Sequence, residues 1–512
     1  MIHSAHRPDG YQGRSDFRIA QLVRNTRRML SDLQQGLNHD SLRLGRDSLG
    51  DLAGILVDFA EDLHDGTGIW EAYERYNIEF FGTSLPLTAG KAGAARTGMH
   101  QDRFRHFLWV LYPTMIDGLM LSPEHEDLRH MADASSTFLA DAFAAMPKDP
   151  GVRDFLETPN SHAWDVKPKL LWLARHSFMF RTMFDCYVDE KADIGQIDDF
   201  LCQECTQWSG LGAIDILAGV LDLAEDDRKD LRSWYERHAA PYKIMSAGND
   251  SLQAMNLVSD QSYQIRINMK RNPFKAGQLV FGSLVPWRGA WYWSGGQTAR
   301  NDASDVVVDD LKRDMKRGRS QIVCRYWKEY AAQVRQQACD LHERMTAYYG
   351  KDLIVYPDGL SMAADWQKEF RSYFESACQH DVNDLIEKHR LKEGRTRLNC
   401  PKDLLEHTDG LGVFLNPDEG REIAPHFASL VSGLKRKGET LTGDQESAIA
   451  GFFDAHAVSP KFVKRTLDEY GDESVKTTFF LKGDLPSYWL DHLLRSHKGH
   501  YYRKRYPSLT VI

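Results

Sequence analysis

The sequence predicts an α+β protein with three parts. A mostly α-helical N-terminal domain covers residues 1–245, a small β-barrel-like module covers 246–300, and a mixed α/β C-terminal domain covers 301–512. Three observations predict it. Apolar residues recur at three- and four-residue spacing through the first half of the chain, with no alternating run before about residue 245. The period then changes to two: Tyr263, Ile265, Ile267 and Met269 are each separated by a polar residue, the pattern of a half-buried strand. Beyond residue 300, polar helical stretches alternate with short apolar runs bounded by Gly or Pro, which suits buried strands set between helices.

Taken in order, the first helix spans 16–33, with Ile19, Leu22, Val23 and Leu30 on its apolar side. A second follows from Leu52, Ile55, Leu56, Phe59 and Leu63, and Gly66 and Gly68 mark its stop. Trp70, Tyr73 and Tyr76 continue on one helical face. Residues 83–98, with Pro86, Gly90, Gly93 and Gly98, read as a mobile loop. The Gly90-Lys91 pair in it is not a phosphate loop, because Leu85 and Ala92 stand where that motif needs Gly and Ser or Thr. Further helices are expected over 104–112, from Ser122-Pro123 toward Phe143, over 165–187, and as one or two segments in 194–223.

Strands are expected over 263–270, 279–285 and 291–294. Pro286, Arg288 and Gly289 supply turn chemistry between the last two. Gly282, inside the second, marks a bulge or a close backbone approach. Helix returns at 303 and runs through 306–337; KDLIVY at 351–356 and LGVFL at 411–415 read as buried strands, with a helix over 362–389. Thr442-Gly443-Asp444-Gln445 has the form of a capping box that opens a helix through Phe453. Ser459-Pro460 opens another through Tyr470.

Composition narrows the function classes. The 512 residues are 42% hydrophobic and 11% aromatic, enough to fill large cores and too rich in burial-prone residues for long disorder. A net charge of −9 argues against a global electrostatic grip on nucleic acid and leaves room for a local basic patch. With no long apolar run, no membrane span is expected. The N-terminus lacks the apolar centre of a signal peptide. Seven Cys suit reduced thiols, and a cytoplasmic location is expected.

The run VFGSLVPWRGAWYWSGGQ, residues 280–297, resembles the signature of an uncharacterised bacterial protein family, a domain of unknown function. Segments 414–422 (FLNPDEGRE) and 457–471, and the ending at Leu494-Arg495 and Tyr502-Arg503-Lys504-Arg505-Tyr506, extend that resemblance over roughly the C-terminal half. It implies fold and size and carries no activity. The strand and aromatic hairpin also resemble PUA-like small β-barrels, a likeness that implies binding of RNA or modified bases at the level of fold alone.

Each candidate site carries two readings. In the aromatic hairpin, Trp291 and Trp293 share one face and Tyr292 takes the other. As a recognition element, Trp287 and Tyr292 offer rings and Arg288 a phosphate contact; stacking a base is worth about 1–3 kcal/mol. As a core element, Trp287, Trp291 and Trp293 fill the barrel and dock it on the helices. At the C-terminus, His497, Lys498, Tyr502, Arg503, Lys504 and Arg505 have an anion-binding composition or form a solvated basic end. Asp491, His492, His497 and His500 match no metal-ligand spacing. Cys202-Gln-Glu-Cys205 lacks a second CxxC and reads as structural. The basic residues from Lys312 to Arg319 are interleaved with Asp309, Asp310 and Asp314, which neutralise them. His380, Asp381, Asp384, Glu387 and His389 read as a surface helix. No metal and no cofactor is expected.

The leading expectation is a non-enzymatic binding or accessory protein that recognises nucleic acid or a partner protein through the β module and nearby basic residues. The alternatives are a hydrolase or nuclease whose site assembles from distant segments, and a structural subunit that docks through its Trp-rich face.

Overall fold

A helix that is apolar on one side packs at a surface; one that is apolar nearly all round must sit inside. In this computed structural model, which describes residues 6–9, 11, 16–81, 98–116, 120–188, 191, 193–204, 206, 210–268, 272–301, 304–377, 400–481, 485 and 487–502, the helical region is organised around such a helix. It comprises α1 (Asp16–Gln34), α2 (Arg46–Asp65), α3 (Ile69–Phe81), α4 (Gln101–Leu111), α5 (Glu126–Ala144), α6 (Gly151–Leu156), α7 (Ala163–His176), α8 (Arg181–Tyr187), α9 (Ile194–Gln203), α10 (Ala213–Val220) and α11 (Glu225–Ser233). Every residue of α2 from Leu52 to Leu63 is buried. Phe59 stacks on Phe107 at a centroid distance of 4.3 Å and meets Trp70, Phe104 and Phe178 edge-on.

That interior position forces α2 to satisfy its own carboxylates. Asp58 pairs with Arg181 at 2.6 Å, and Glu61 with Arg7. Asp62 accepts the backbone N–H groups of Ile69 and Trp70, both at 3.0 Å, and so caps α3. Asp65 accepts the N–H of Asp149 at 3.1 Å.

Two helix boundaries differ from expectation. α5 opens at Glu126 rather than at Ser122-Pro123, because the His125 side chain accepts the Asp127 N–H and becomes the cap. The stretch expected as one helix over 165–187 is two, α7 and α8, because Ser177 takes an extended conformation and caps the Phe180 N–H.

The β module is a closed barrel in the order β1-β2-β3-β5-β4, formed by β1 (His238–Ala247), β2 (Ser251–Asn256), β3 (Ser262–Arg266), β4 (Leu279–Trp287) and β5 (Ala290–Arg300). Neighbours are antiparallel except β3 and β5, a parallel seam with only Ile265↔Trp291 and Arg266↔Tyr292 in register. Sequence periodicity missed β1 and β2 and placed the start of the module at 246. In β1 four consecutive residues, Ala239 to Tyr242, are buried, which erases alternation, and Pro241 argues against a strand. In β2 the buried positions carry Leu252, Ala254 and Asn256, too short and polar a pattern to read. β3 ends at Arg266, short of the expected 270. Gly282 does mark a bulge: the register slips between Phe281 and Ser283, and a Cβ at 282 would lie 2.9 Å from the Trp293 ring.

Helices α12 (Asp305–Gly318) and α13 (Ser320–Tyr326) follow the barrel. On α12 one pair of the expected kind is present, Arg313 with Asp310, while Lys312 pairs instead with Asp260 outside the helix. Compact units divide the chain differently from the three parts read in the sequence. One is built from Met1–Tyr326 with Phe479–Arg503, so barrel and helices belong together; the other is built chiefly from Trp327–Thr478.

The second unit contains α14 (Lys328–Tyr349), α15 (Gly359–Ala377) and an antiparallel sheet of β6 (Leu353–Tyr356), β7 (Leu411–Asn416) and β8 (Gly420–Pro425) in the order β6-β7-β8. The continuous apolar run of β7 is explained by its central place, since all six of its residues are buried. β8 was not read from the sequence. Asn416 donates to Glu422 and to the Ser459 hydroxyl at 3.1 Å, and Glu422 accepts the Ser459 N–H at 2.8 Å. Segments 414–422 and 457–471 therefore meet in space. The capping box at Thr442 and Gln445 forms as expected, as does the Ser459 cap of helix Pro460–Tyr470.

Truncation of Phe59 to Ala empties the centre of the aromatic cluster. The expected loss is about 3–5 kcal/mol of unfolding free energy, read as a lower urea midpoint with little change in slope.

Candidate functional site

Strand β5 decides what faces the helices. Alternation sends Trp291 and Trp293 to the barrel side, where they meet Tyr263 at 4.8 Å and Tyr242 at 5.5 Å between ring centroids. Tyr292 and Ser294 point the other way, toward α7 and α9. The Tyr292 ring meets Trp164 edge-on at 5.1 Å, and Ser294 reaches Asp198.

Those helices and the barrel line a cavity of about 560 Å³, to which β5 contributes residues of both faces, Tyr292 and Trp293. Its walls include Trp164, Leu171, Leu201, Trp234, Phe274 and Trp293. Its polar groups converge at the buried end on Lys167, Asp198 and Ser294, while Arg266 and Asn268 stand at the exposed end. A smaller cavity of about 380 Å³ lies against the other side of Asp198, Ser294 and Gly295.

Asp198 is the hub. The residue is 1% exposed, and its carboxylate binds Lys167, the Arg237 guanidinium at 2.9 Å, and the Ser294 hydroxyl at 2.8 and 3.0 Å. Lys167 also donates to Ser294 Oγ at 2.8 Å and lies 5.5 Å from the centre of the Trp234 ring. Arg237 spends its other arm on Asp199. Gly295 lets the strand approach: its φ is +69°, and a Cβ there would stand 2.9 Å from Asp198 Oδ2.

Burial alone raises a carboxyl pKa, but the charges and hydrogen bonds of Lys167 and Arg237 outweigh it and hold Asp198 below its ordinary value. Burial likewise pulls the Lys167 ammonium down, while the charge and hydrogen bond of Asp198 hold it above its ordinary value. Burial, reinforced by Asp198, pushes the Cys202 thiol up to about 11, so it stays protonated. These directions bear on whether Ser294 and Lys167 could act as a nucleophile and base pair. A Ser beside a Lys is a nucleophile only if the amine is neutral and takes the proton. Here Lys167 is charged, Asp198 is a poor base, and the Ser294 proton lies on a carboxylate. The arrangement is suited to hold and orient a ligand.

The residues singled out from sequence fall elsewhere. Trp287 is fully buried, and its indole donates to Asn160 O at 2.9 Å. Tyr292 takes the expected opposite face, but α7 covers it, so it lines the cavity instead of the outer surface. Arg288 is exposed, and Asp227 holds its guanidinium. Lys498 is fully buried and His497 half-buried; Tyr502 is half-buried and reaches Asp491 at 3.4 Å. That C-terminal helix (Trp489–Lys498) docks by stacking His492 on Trp109 at 3.9 Å, not as a solvated basic end. Arg503, Lys504 and Arg505, the Gly90-Lys91 pair, Cys205 and the set from His380 to His389 lie outside the described residues. Lys167, Asp198 and Arg237 escaped sequence reading. Their one visible signal is a charge inside an apolar helical pattern, at Lys167 and Asp198.

Among the described residues, His39, His125 and Asp127 bring three ligand-type atoms within 4.8 Å of one another. His125 Nδ1 already accepts the Asp127 N–H, which puts the neutral ring's proton on Nε2, and Asp127 accepts the N–H groups of Asn38 and His39 at 3.1 and 3.3 Å. The group acts as a helix cap and a tether between chain segments. Comparison of the chain with protein-family models, curated proteins and solved structures finds no match.

Asp198→Ala strands one buried cation, Arg237, and the half-buried Lys167, and is expected to cost about 3 kcal/mol, the low end for a broken buried pair because Arg237 keeps Asp199 and Lys167 is partly solvated. The folded pKa of Asp198 lies below its ordinary 3.8, so its contribution is complete above that value and lost as pH falls through the folded one. Urea midpoints of wild type and variant should differ widely at about pH 7 and converge as pH falls below 3.8.

Proposed function

We propose that this protein is a non-enzymatic binding protein, and that its ligand is a small molecule with a flat, ring-bearing body held in the cavity between α7, α9 and the barrel. The observation that carries this is the cavity itself. Its volume of about 560 Å³ falls in the ordinary range for cofactor-sized ligands, roughly 300–1,000 Å³. Its walls are apolar and aromatic, and a few polar groups converge at one end, the arrangement that orients a ligand without reacting with it. The resemblance of the strand and hairpin to PUA-like barrels supports a binding role for the module at the level of fold.

The nucleic-acid form of the reading draws less support from the described residues. Trp287, Tyr292 and Lys498 are covered and Asp227 meets the charge of Arg288, which leaves Arg503, Lys504 and Arg505 to carry it. No helix among the described residues is long and apolar enough to cross a membrane, and a membrane-spanning partner surface is not part of the proposal.

The test is a thermal-shift screen of ring-bearing small molecules, including mononucleotides, against wild type and Leu171→Trp, which fills the cavity from its wall. A binder at about 100 times its Kd adds about 2.7 kcal/mol to wild-type stability. The expected outcome is a raised melting temperature in wild type and none in the folded Leu171→Trp variant. Equal shifts in both proteins would place the ligand elsewhere.

A further inference from the structure

We infer that the cavity selects aromatic monoanions and that Arg266 takes the negative charge; the inference rests on reading the cavity as the ligand site. Three of its lining residues are ionisable at neutral pH as Lys, Arg or Asp: Lys167, Arg266 and Asp198. The lining thus carries two positive charges against one negative. Asp198 is already spent on Lys167, Arg237 and Ser294, and Lys167 on Asp198 and Ser294. Arg266 differs from both, because among the described residues no carboxylate lies within ion-pair distance of its guanidinium. It stands at the exposed end of the cavity, in register with Tyr292 across the parallel seam.

A solvated Arg alone says nothing about a ligand. Beside a wall of rings it does. Trp164, Trp234, Phe274, Tyr292 and Trp293 all line the cavity, and flat rings pack against such walls better than flexible chains. A ring seated there displaces water from the mouth, and the lower local dielectric strengthens an ion pair made at that point. The guanidinium fork matches a carboxylate or phosphate edge with two parallel hydrogen bonds. The ligand class is therefore a ring system bearing one anionic group at its edge.

The experiment is isothermal titration of the full chain with 2-naphthoate, its neutral analogue 2-naphthalenemethanol, and decanoate. Wild type should bind naphthoate at least tenfold more tightly than either of the others. Arg266→Ala should abolish the preference over the neutral analogue while leaving that analogue's own affinity unchanged, and Arg266→Lys should keep part of it. The preference should also shrink at about 1 M salt, where charges are screened within about 3 Å. A neutral analogue that binds wild type as tightly as naphthoate, or a preference that survives Arg266→Ala, overturns the inference and leaves the cavity reading standing. Decanoate binding as tightly as naphthoate overturns the aromatic part. Failure of both naphthyl compounds to bind overturns the inference and the cavity reading together.

Discussion

The buried carboxylate of Asp198 is the constraint on which the first unit depends. Apolar contact between barrel and helices is extensive, since Val285, Trp287 and Tyr292 belong to the same core as α2 and α7. Apolar burial is not directional, however. It holds two surfaces together without choosing the angle between them. A charge removed from water does choose, because each oxygen needs its partners at bonding distance. Asp198 finds them on three other segments: Lys167 on α7, Arg237 just ahead of β1, and Ser294 on β5. The barrel can occupy only the position that brings all three to α9.

The turn between β4 and β5 shows the same economy. Arg288 and Gly289 both have positive φ, +50° and +74°, the geometry of the two-residue hairpin turn that right-twisted strands prefer. Asn, Asp or Gly usually occupies the first of those positions. Arg tolerates it here because Asp230 accepts its backbone N–H at 2.7 Å and Asp227 its side chain. A residue whose exposure and charge suggest recognition is thus an anchor of the hairpin on α11. Trp287 completes the anchor from the buried side, and Trp234 returns the contact by donating to Pro286 O at 2.8 Å.

Legibility in the sequence followed burial geometry. Elements buried on one face declared themselves: α1, β3, and the capped helices after Thr442 and Ser459 were all readable. Burial on both faces did not by itself hide an element, since α2 and β7 were both readable as helical spacing and as a short apolar run; β1 was hidden for a different reason. β1 has four buried residues in a row, on both of its faces, and a proline, so neither period nor propensity marks it. The site was less legible than the fold. Tyr292 was placed on the correct face of β5, but nothing in the sequence says what covers that face. Asp198 and Lys167 are 31 positions apart and Asp198 and Ser294 are 96 apart. No spacing rule joins them, because their meeting is set by how the barrel docks and not by local structure. Charges embedded in otherwise apolar helices were the available clue.

The seam between β3 and β5 has a consequence of its own. A closed barrel has no free edge, so it resists opening everywhere except at its weakest pairing. Here that pairing is two residues long, whereas β1 and β4 share six. Local opening takes the least costly route, and unzipping this seam breaks the fewest ladder bonds. The two strands that would part carry Arg266 and Tyr292, which also line the cavity. Any parting of this seam would therefore separate two residues of the cavity wall, so the weakest pairing of the barrel is also the part of it that bounds the cavity.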